Sequence, residues 1–184
     1  MLGIRHYHGT AIDLWQGDIT GFQCDGMANA ANQNLAGGGG VDGAIHRVGG
    51  PVIMDACKQL GGCPVGSAVA TVAGDLPATT VIHAVGPVWS GGNAGEPELL
   101  LSAYKSVWAL AEEHSLRHVA TPSLSTGAYK YPVELAASIA MQSIKEYFTT
   151  PKRSPQRITF VLFNREHYQS FQTALFQMFP ELSS

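Results

Sequence analysis

Short β-branched and aromatic runs alternate along this chain with stretches of helical periodicity, and that alternation leaves few folds open. Ala11–Trp15, Val69–Val72, Val81–Val85, His118–Pro122 and Ile158–Phe163 have the composition of strands. Between them, Leu100, Tyr104, Val107 and Ala111 share one helical face. Leu135, Ile139, Ser143 and Tyr147 form a stripe with Ala136, Ala140, Ile144 and Phe148 beside it, after Pro132, which suits a first helical position. A last helix is expected over Arg165–Phe179, with Tyr168, Phe171, Leu175 and Phe179 on one side. Strands joined by helices pair in parallel, so the expected fold is α/β, with helices over both faces of a mainly parallel sheet. Inner strands of such a sheet are apolar on both faces, as Val81–Val85 and Ile158–Phe163 nearly are. Trp89–Pro97 and Thr149–Gln156 read as loops, and no repeat or low-complexity linker interrupts the chain. A single domain over residues 1–184 follows.

Composition narrows the function. The chain is 45% hydrophobic and 14% charged, enough apolar material for a sizeable core. A net charge of −3 and the absence of like-charge runs argue against a nucleic-acid binder that works through a basic surface. Three cysteines, Cys24, Cys57 and Cys63, make a disulfide framework improbable and favour a reducing compartment. The first residues lack an apolar h-region, and no window has the roughly 18 apolar residues of a membrane span, so a soluble cytoplasmic protein is expected.

The richest segment runs from Asn29 to His46 and contains four consecutive glycines, Gly37–Gly40. Such a run is costly unless the backbone bends sharply or approaches something closely. Asp42–Arg47 reads as a helix start, so the segment is a glycine loop running into a helix N-terminus. Free N–H groups and the positive end of the helix dipole then bind phosphate without basic side chains. Gly38, Gly40 and Gly43 formally satisfy G-x-G-x-x-G, but the dinucleotide-fold context fails. Asn29–Ala36 intervenes where a strand should lead straight in, and no acid follows at about twenty positions. There is no G-x-x-x-x-G-K-[ST]. A flexible linker would explain neither the asparagines nor the acid within the run.

Two further loops carry candidate ligand groups. In Pro122–Pro132, the small residues Ser125, Thr126, Gly127 and Ala128 would expose backbone N–H groups, and Tyr129 and Tyr131 offer flat surfaces. An ordinary strand-to-helix turn would look much the same. Asp18, in Gln16-Gly-Asp-Ile-Thr20, follows a strand end, the usual ligand edge of an α/β sheet. Taken alone, Asp18 or Thr20 reads better as a cap for the next turn.

In combination these pieces resemble the macrodomain family, which binds ADP-ribose. The matching residues are Gly17–Thr20, Asn29–Asn32, Gly37–His46, Val81–Pro87 and Ser125–Pro132, in order from about Ile12 to Phe148. The sub-group most resembled includes bacterial O-acetyl-ADP-ribose deacetylases and mono-ADP-ribosyl hydrolases. The resemblance implies a three-layer α/β/α fold around a mixed, mainly parallel sheet, with ADP-ribose at the strand ends. Asp18 would accept from the adenine amino group, and the Ile19 backbone would lie beside the ring. Backbone amides of Gly40–Val41 and of Ser125, Thr126, Gly127, Ala128 and Tyr129 would hold the diphosphate. Tyr129 would pack near the distal ribose, Asn32 would hydrogen-bond it, and Asp42 would sit near the reacting carbon. Expected substrates are O-acyl-ADP-ribose and mono-ADP-ribosylated proteins. The released carboxylate needs little protonation, so one carboxylate that positions a water suffices, with orientation from the diphosphate cradle and no metal or cofactor. Family members commonly have glycine where Lys130 stands; the lysine would add a cation near the diphosphate or narrow the pocket.

A reader that binds ADP-ribose without turnover is the rival class. Asp42 argues against it, because a reader has no use for a carboxylate beside a diphosphate. An oxidoreductase fails on the glycine context. His114 with His118, and His6 with His8, lack a third metal ligand. His46 and His83 read as hydrogen-bonded residues near the core, and Cys57 and Cys63 as buried small residues around the Gly61-Gly62 turn.

Overall fold

The computed structural model describes residues 3–181. Its strands are β1 (Arg5–Tyr7), β2 (Thr10–Gln16), β3 (Gly26–Ala30), β4 (Ala68–Val72), β5 (Thr80–Ala84), β6 (His118–Thr121) and β7 (Arg157–Leu162). Its helices are α1 (Gly40–Gly49), α2 (Pro51–Leu60), α3 (Glu96–Glu113), α4 (Val133–Tyr147) and α5 (Arg165–Met178), with a 3₁₀ turn at Ile19–Gly21. One sheet runs β1-β2-β7-β6-β3-β5-β4. The five inner strands are parallel, and the edge strands β1 and β4 are antiparallel to their neighbours.

Alternation along the strands sorts side chains into two cores. Ile12, Ile82, Ile158 and Phe160 face α3, α4 and α5, where Tyr104, Trp108, Phe148 and Phe171 are fully buried. Met27, Val81, Ala120 and Val161 face the other way, with Ile45 of α1 and Ile53 and Cys57 of α2. The architecture is three-layer α/β/α around a mixed sheet. Trp108 keeps its indole N–H satisfied in the larger core by donating to Ser143 Oγ at 2.9 Å.

The structure corrects three sequence expectations. Asn29 is not a loop residue: it lies within β3, fully buried. The helix after the glycines begins at Gly40 rather than Asp42. On α4 Leu135 does not face the core: it is 51% exposed, while Ser143 of its stripe is buried and Ala136, Ala137, Ala140, Met141 and Ile144 form the buried face. Helix α4 packs between α3 and α5, and small side chains there allow both neighbours to approach closely. No helix among the described residues is long and apolar enough to cross a membrane.

Candidate functional site

The C-terminal ends of β2, β3, β5, β6 and β7 all lie on one edge of the parallel sheet, because parallel strands end together. The loops leaving them enclose a cleft with two lobes. One, about 550 Å³, is lined by Asp18, Ile19, Arg47, Phe163, Asn164 and His167, among others. The other, about 390 Å³, is lined by Ala31, Asn32, Asp42, Gly86, Ser125 and Tyr129, among others. Gly40, Val41, Ser123 and Gly127 line both lobes, so the two meet along the glycine loop. Volumes of this order suit a small-molecule ligand.

In the larger lobe, Asp18 is exposed and Ile19 buried. Asp18 Oδ1 accepts from Thr20 N at 2.9 Å and from Thr20 Oγ1 at 2.7 Å, capping the 3₁₀ turn. Capping and lining the cleft are thus compatible roles of one carboxylate. The residue that sequence reading missed is Phe163, which follows β7 and is 77% exposed. A phenyl ring left this open at a cleft wall is a ready stacking surface. Strand patterning had assigned it to the sheet, as the last residue of an apolar run.

Where the lobes meet, the backbone supplies the chemistry. Helix α1 begins without a side-chain cap, so the N–H groups of its first turn, including Gly40 and Val41, point forward unpaired. Across from them, the N–H groups of Ser125, Thr126, Gly127, Ala128 and Tyr129 donate to no group within the described residues. Other bonds pin the loop itself: Tyr131 N donates to Ser125 O at 2.9 Å, and Trp89 N to Tyr129 O at 2.9 Å. The loop before α3 that carries Trp89 is closed by Glu96, whose carboxylate accepts from Ser90 N, Gly92 N and Ala94 N. Burial pushes the Glu96 carboxyl up, but these N–H bonds outweigh it and hold it at about 2. Two facing sets of free N–H groups make an anion cradle, and no Lys or Arg among the described residues lines its smaller lobe.

Two positions in the loop from Ser125 to Tyr131 are conformationally tense. Ser125 has φ +65° and a buried Oγ without a hydrogen-bond partner. A Cβ at position 86 would lie 2.1 Å from that Oγ, so glycine there leaves the Ser125 hydroxyl its place. Lys130 has φ +58° and is exposed, and it lines neither lobe. It therefore does not narrow the cleft. Its backbone sits where glycine is favoured, so Lys130→Gly is expected to relieve strain and raise stability by about 0.5–1 kcal/mol after the entropy cost of glycine. A thermal melt checks this; a lower Tm would refute it.

In the smaller lobe, Asn32 folds the glycine loop onto itself. Its Nδ2 donates to Gly37 O at 2.9 Å, and its Oδ1 accepts from Ala36 N at 3.1 Å. Asp42, in the first turn of α1, is buried yet lines the lobe. Its Oδ1 accepts from Asn29 Nδ2 at 2.8 Å and lies 3.3 Å from His46 Nε2. The Asn29 amide nitrogen also lies 3.1 Å from His83 Nδ1. Burial, and then the neighbouring His46, push His83 down to about 4, so its ring is neutral near pH 7. With Nδ1 accepting from Asn29, Nε2 carries the proton and donates to Thr71 Oγ1 at 2.8 Å. Asp42 is thus held from behind by a chain of polar groups, buried on β3 and β5 and half-buried on α1 and β4. His83 is hydrogen-bonded near the core, as its sequence context indicated, whereas His46 lies 3.3 Å from Asp42 with its Nδ1 unpartnered; the link of both to Asp42 was not legible.

Comparison with known proteins bears on this cleft. The family model described as "Macro domain" matches residues 28–140. A Macro domain-containing protein of Cupriavidus necator is 48% identical over 171 residues, covering 91% of this chain and 98% of that one. A protein of Enterobacter cloacae named O-acetyl-ADP-ribose deacetylase is 47% identical, covering 93% of this chain and 97% of its own length. Among solved structures, an Oceanobacillus iheyensis macrodomain mutant with ADPR superposes with a TM-score of 0.88 at 33% identity, covering 95% of this chain and 97% of that one.

Proposed function

The chain belongs to the Macro domain family, and from that premise we propose that it binds ADP-ribose along the two-lobed cleft and hydrolyses its esters, O-acetyl-ADP-ribose among them. In this reading the adenosine fills the lobe of Asp18, Ile19 and Phe163. The diphosphate takes the facing N–H groups of Gly40–Val41 and Ser125–Tyr129. The distal ribose enters the lobe of Asn32, Asp42 and Tyr129. Asp42 positions a water and takes up one of its protons as the water oxygen adds to the acyl carbon. The acyl C–O bond then breaks, the ribose oxygen leaves as a hydroxyl with that proton, and the acid departs as a carboxylate, its remaining proton going to solvent. Mono-ADP-ribose attached to acidic side chains of proteins is the same kind of ester and is proposed as a second substrate.

The observation that carries the proposal is a carboxylate anchored through Oδ1 at the wall of the ribose lobe, beside a cradle of free backbone N–H groups. A pure reader would gain affinity by losing that charge. Calorimetry with ADP-ribose, together with product assays on O-acetyl-ADP-ribose and on a mono-ADP-ribosylated protein, separates the classes. Tight binding without turnover of either substrate would leave a reader module. Phe163 offers a second check. As the ring is 77% exposed, Phe163→Ala is expected to leave Tm unchanged while ADP-ribose affinity falls about 10-fold, the scale of one lost base–aromatic stack. Unchanged affinity would remove Phe163 from the site.

A further inference from the structure

Behind Asp42, the structure brings together three potential metal ligands that are far apart in the chain. A ring nitrogen of His46 on α1, Cys57 Sγ on α2 and a ring nitrogen of His83 on β5 all lie within 4.8 Å of one another. Cys57 and His83 are each 1% exposed. We propose that these three residues form a three-ligand binding site for a thiophilic divalent cation such as Zn²⁺, with the fourth tetrahedral position left to a water, adjoining the active-site carboxylate.

Three observations support the site. First, Cys57 Sγ and His83 Nε2 are 3.7 Å apart. Zinc bonds to sulfur and nitrogen in a tetrahedral arrangement put two ligands roughly 3.5 Å apart, so this pair needs little movement. Second, His46 Nδ1 is buried and has no hydrogen-bond partner, an orphan acceptor beside the cluster. Third, each imidazole has a polar partner on its far side that can serve as an outer shell, His46 directly and His83 once the Asn29 amide turns over. His46 Nε2 faces the Asp42 carboxylate at 3.3 Å, and His83 Nδ1 faces the Asn29 amide at 3.1 Å. One thiolate and two imidazoles select zinc or cobalt over magnesium or calcium, which prefer oxygen.

Binding couples the metal to Asp42. The Cys57 thiol releases its proton to solvent as the sulfur–metal bond forms. His83 ligates through Nε2, so its hydrogen bond to Thr71 Oγ1 is given up and its proton moves to Nδ1, which must then donate. Asn29 Oδ1, buried without a partner, accepts when the amide turns over, and Asp42 Oδ1 loses the N–H that holds it. A metal ion here is therefore an inhibitor by displacement. That consequence rests on the proposed hydrolase function; the site itself does not.

The reduced, chelator-treated protein is titrated with Co²⁺ and then Zn²⁺ and followed by absorption. The expected result is one Co²⁺ per chain, with a thiolate-to-cobalt band and tetrahedral d–d bands, displaced by Zn²⁺. Cys57→Ser abolishes the thiolate band, while Cys24→Ser and Cys63→Ser retain it. If Cys57→Ser does not fold, His46→Gln on the outer helix serves instead and weakens Co²⁺ binding at least about 10-fold. Absence of the thiolate band in the wild type, its survival in Cys57→Ser, or unchanged affinity in His46→Gln overturns the proposal. Slower hydrolysis in Zn²⁺-loaded wild type but not in Cys57→Ser supports the coupling; equal rates in loaded and metal-free wild type overturn the coupling alone.

Discussion

Asp42→Asn is expected to fold, to bind ADP-ribose at least as tightly as the wild type, and to lose hydrolysis by about 10²–10⁴-fold, the range that one positioned base supplies. The isosteric amide is the informative variant. Asp42→Ala would leave the Asn29 N–H without its acceptor, at a cost of about 1–3 kcal/mol, and would mix a folding defect with a chemical one. In Asp42→Asn an amide oxygen can still accept from Asn29 Nδ2, which lies 2.8 Å from Asp42 Oδ1. Loss of charge beside a bound diphosphate favours the ground state, so affinity holds or rises while kcat falls. This division between kcat and Kd identifies an interaction made mainly in the transition state. Full activity in Asp42→Asn would disprove the mechanism even if the protein proves to be a hydrolase.

The second large effect is expected from Gly43→Ala. A Cβ at position 43 would lie 2.4 Å from the Gly38 carbonyl oxygen, and an ordinary contact begins near 3.4 Å. Helix and glycine loop must therefore part by about 1 Å. Overpacking of this kind costs about 1–3 kcal/mol, and displacing ligand groups by that distance costs about 10²-fold in kcat/KM. The control sits four residues upstream. A Cβ at Gly39 meets nothing within 4 Å, and its φ of −93° suits any residue. Gly39→Ala is expected to behave nearly as wild type. If Gly43→Ala binds and turns over normally, the loop is not held by this close approach.

Much of the fold was legible because its signals are local. Five strands and three helices carried their own β-branched or periodic patterns, and the two loops with free N–H groups at the cleft could be picked out from their consecutive small residues. Strand β3 could not be read that way. Gly-Met-Ala-Asn-Ala has neither β-branching nor alternation, and it becomes a strand because β5 and β6 pair with it on either side. Misreading β3 hid Asn29 as well, since its role is to reach Asp42 from the strand rather than to serve the loop. Helix α2 follows Gly49-Gly50-Pro51 directly, so a break that reads as loop conceals a second helix. The polar chain through His83 and the His46–Cys57–His83 cluster join elements far apart in sequence, and no spacing rule detects a site assembled by the topology. For Asp18 the two sequence readings were rivals, but the geometry lets one carboxylate serve both.

Gly40, Val41, Ser123 and Gly127 belong to both lobes of the cleft, and in the proposed function that sharing works as a ruler. A nucleotide that ends at its first phosphate can occupy one lobe, and a ribose phosphate the other. Each would have to surrender its own translational freedom to do so. A ligand that spans the junction gives up that freedom once and gains both sets of contacts, because its second half arrives at an effective concentration set by the first. The stiff glycine segment fixes the distance between the halves. Discrimination among adenine nucleotides would then rest on how far the ligand reaches beyond its diphosphate, with no residue needed to reject the shorter ones.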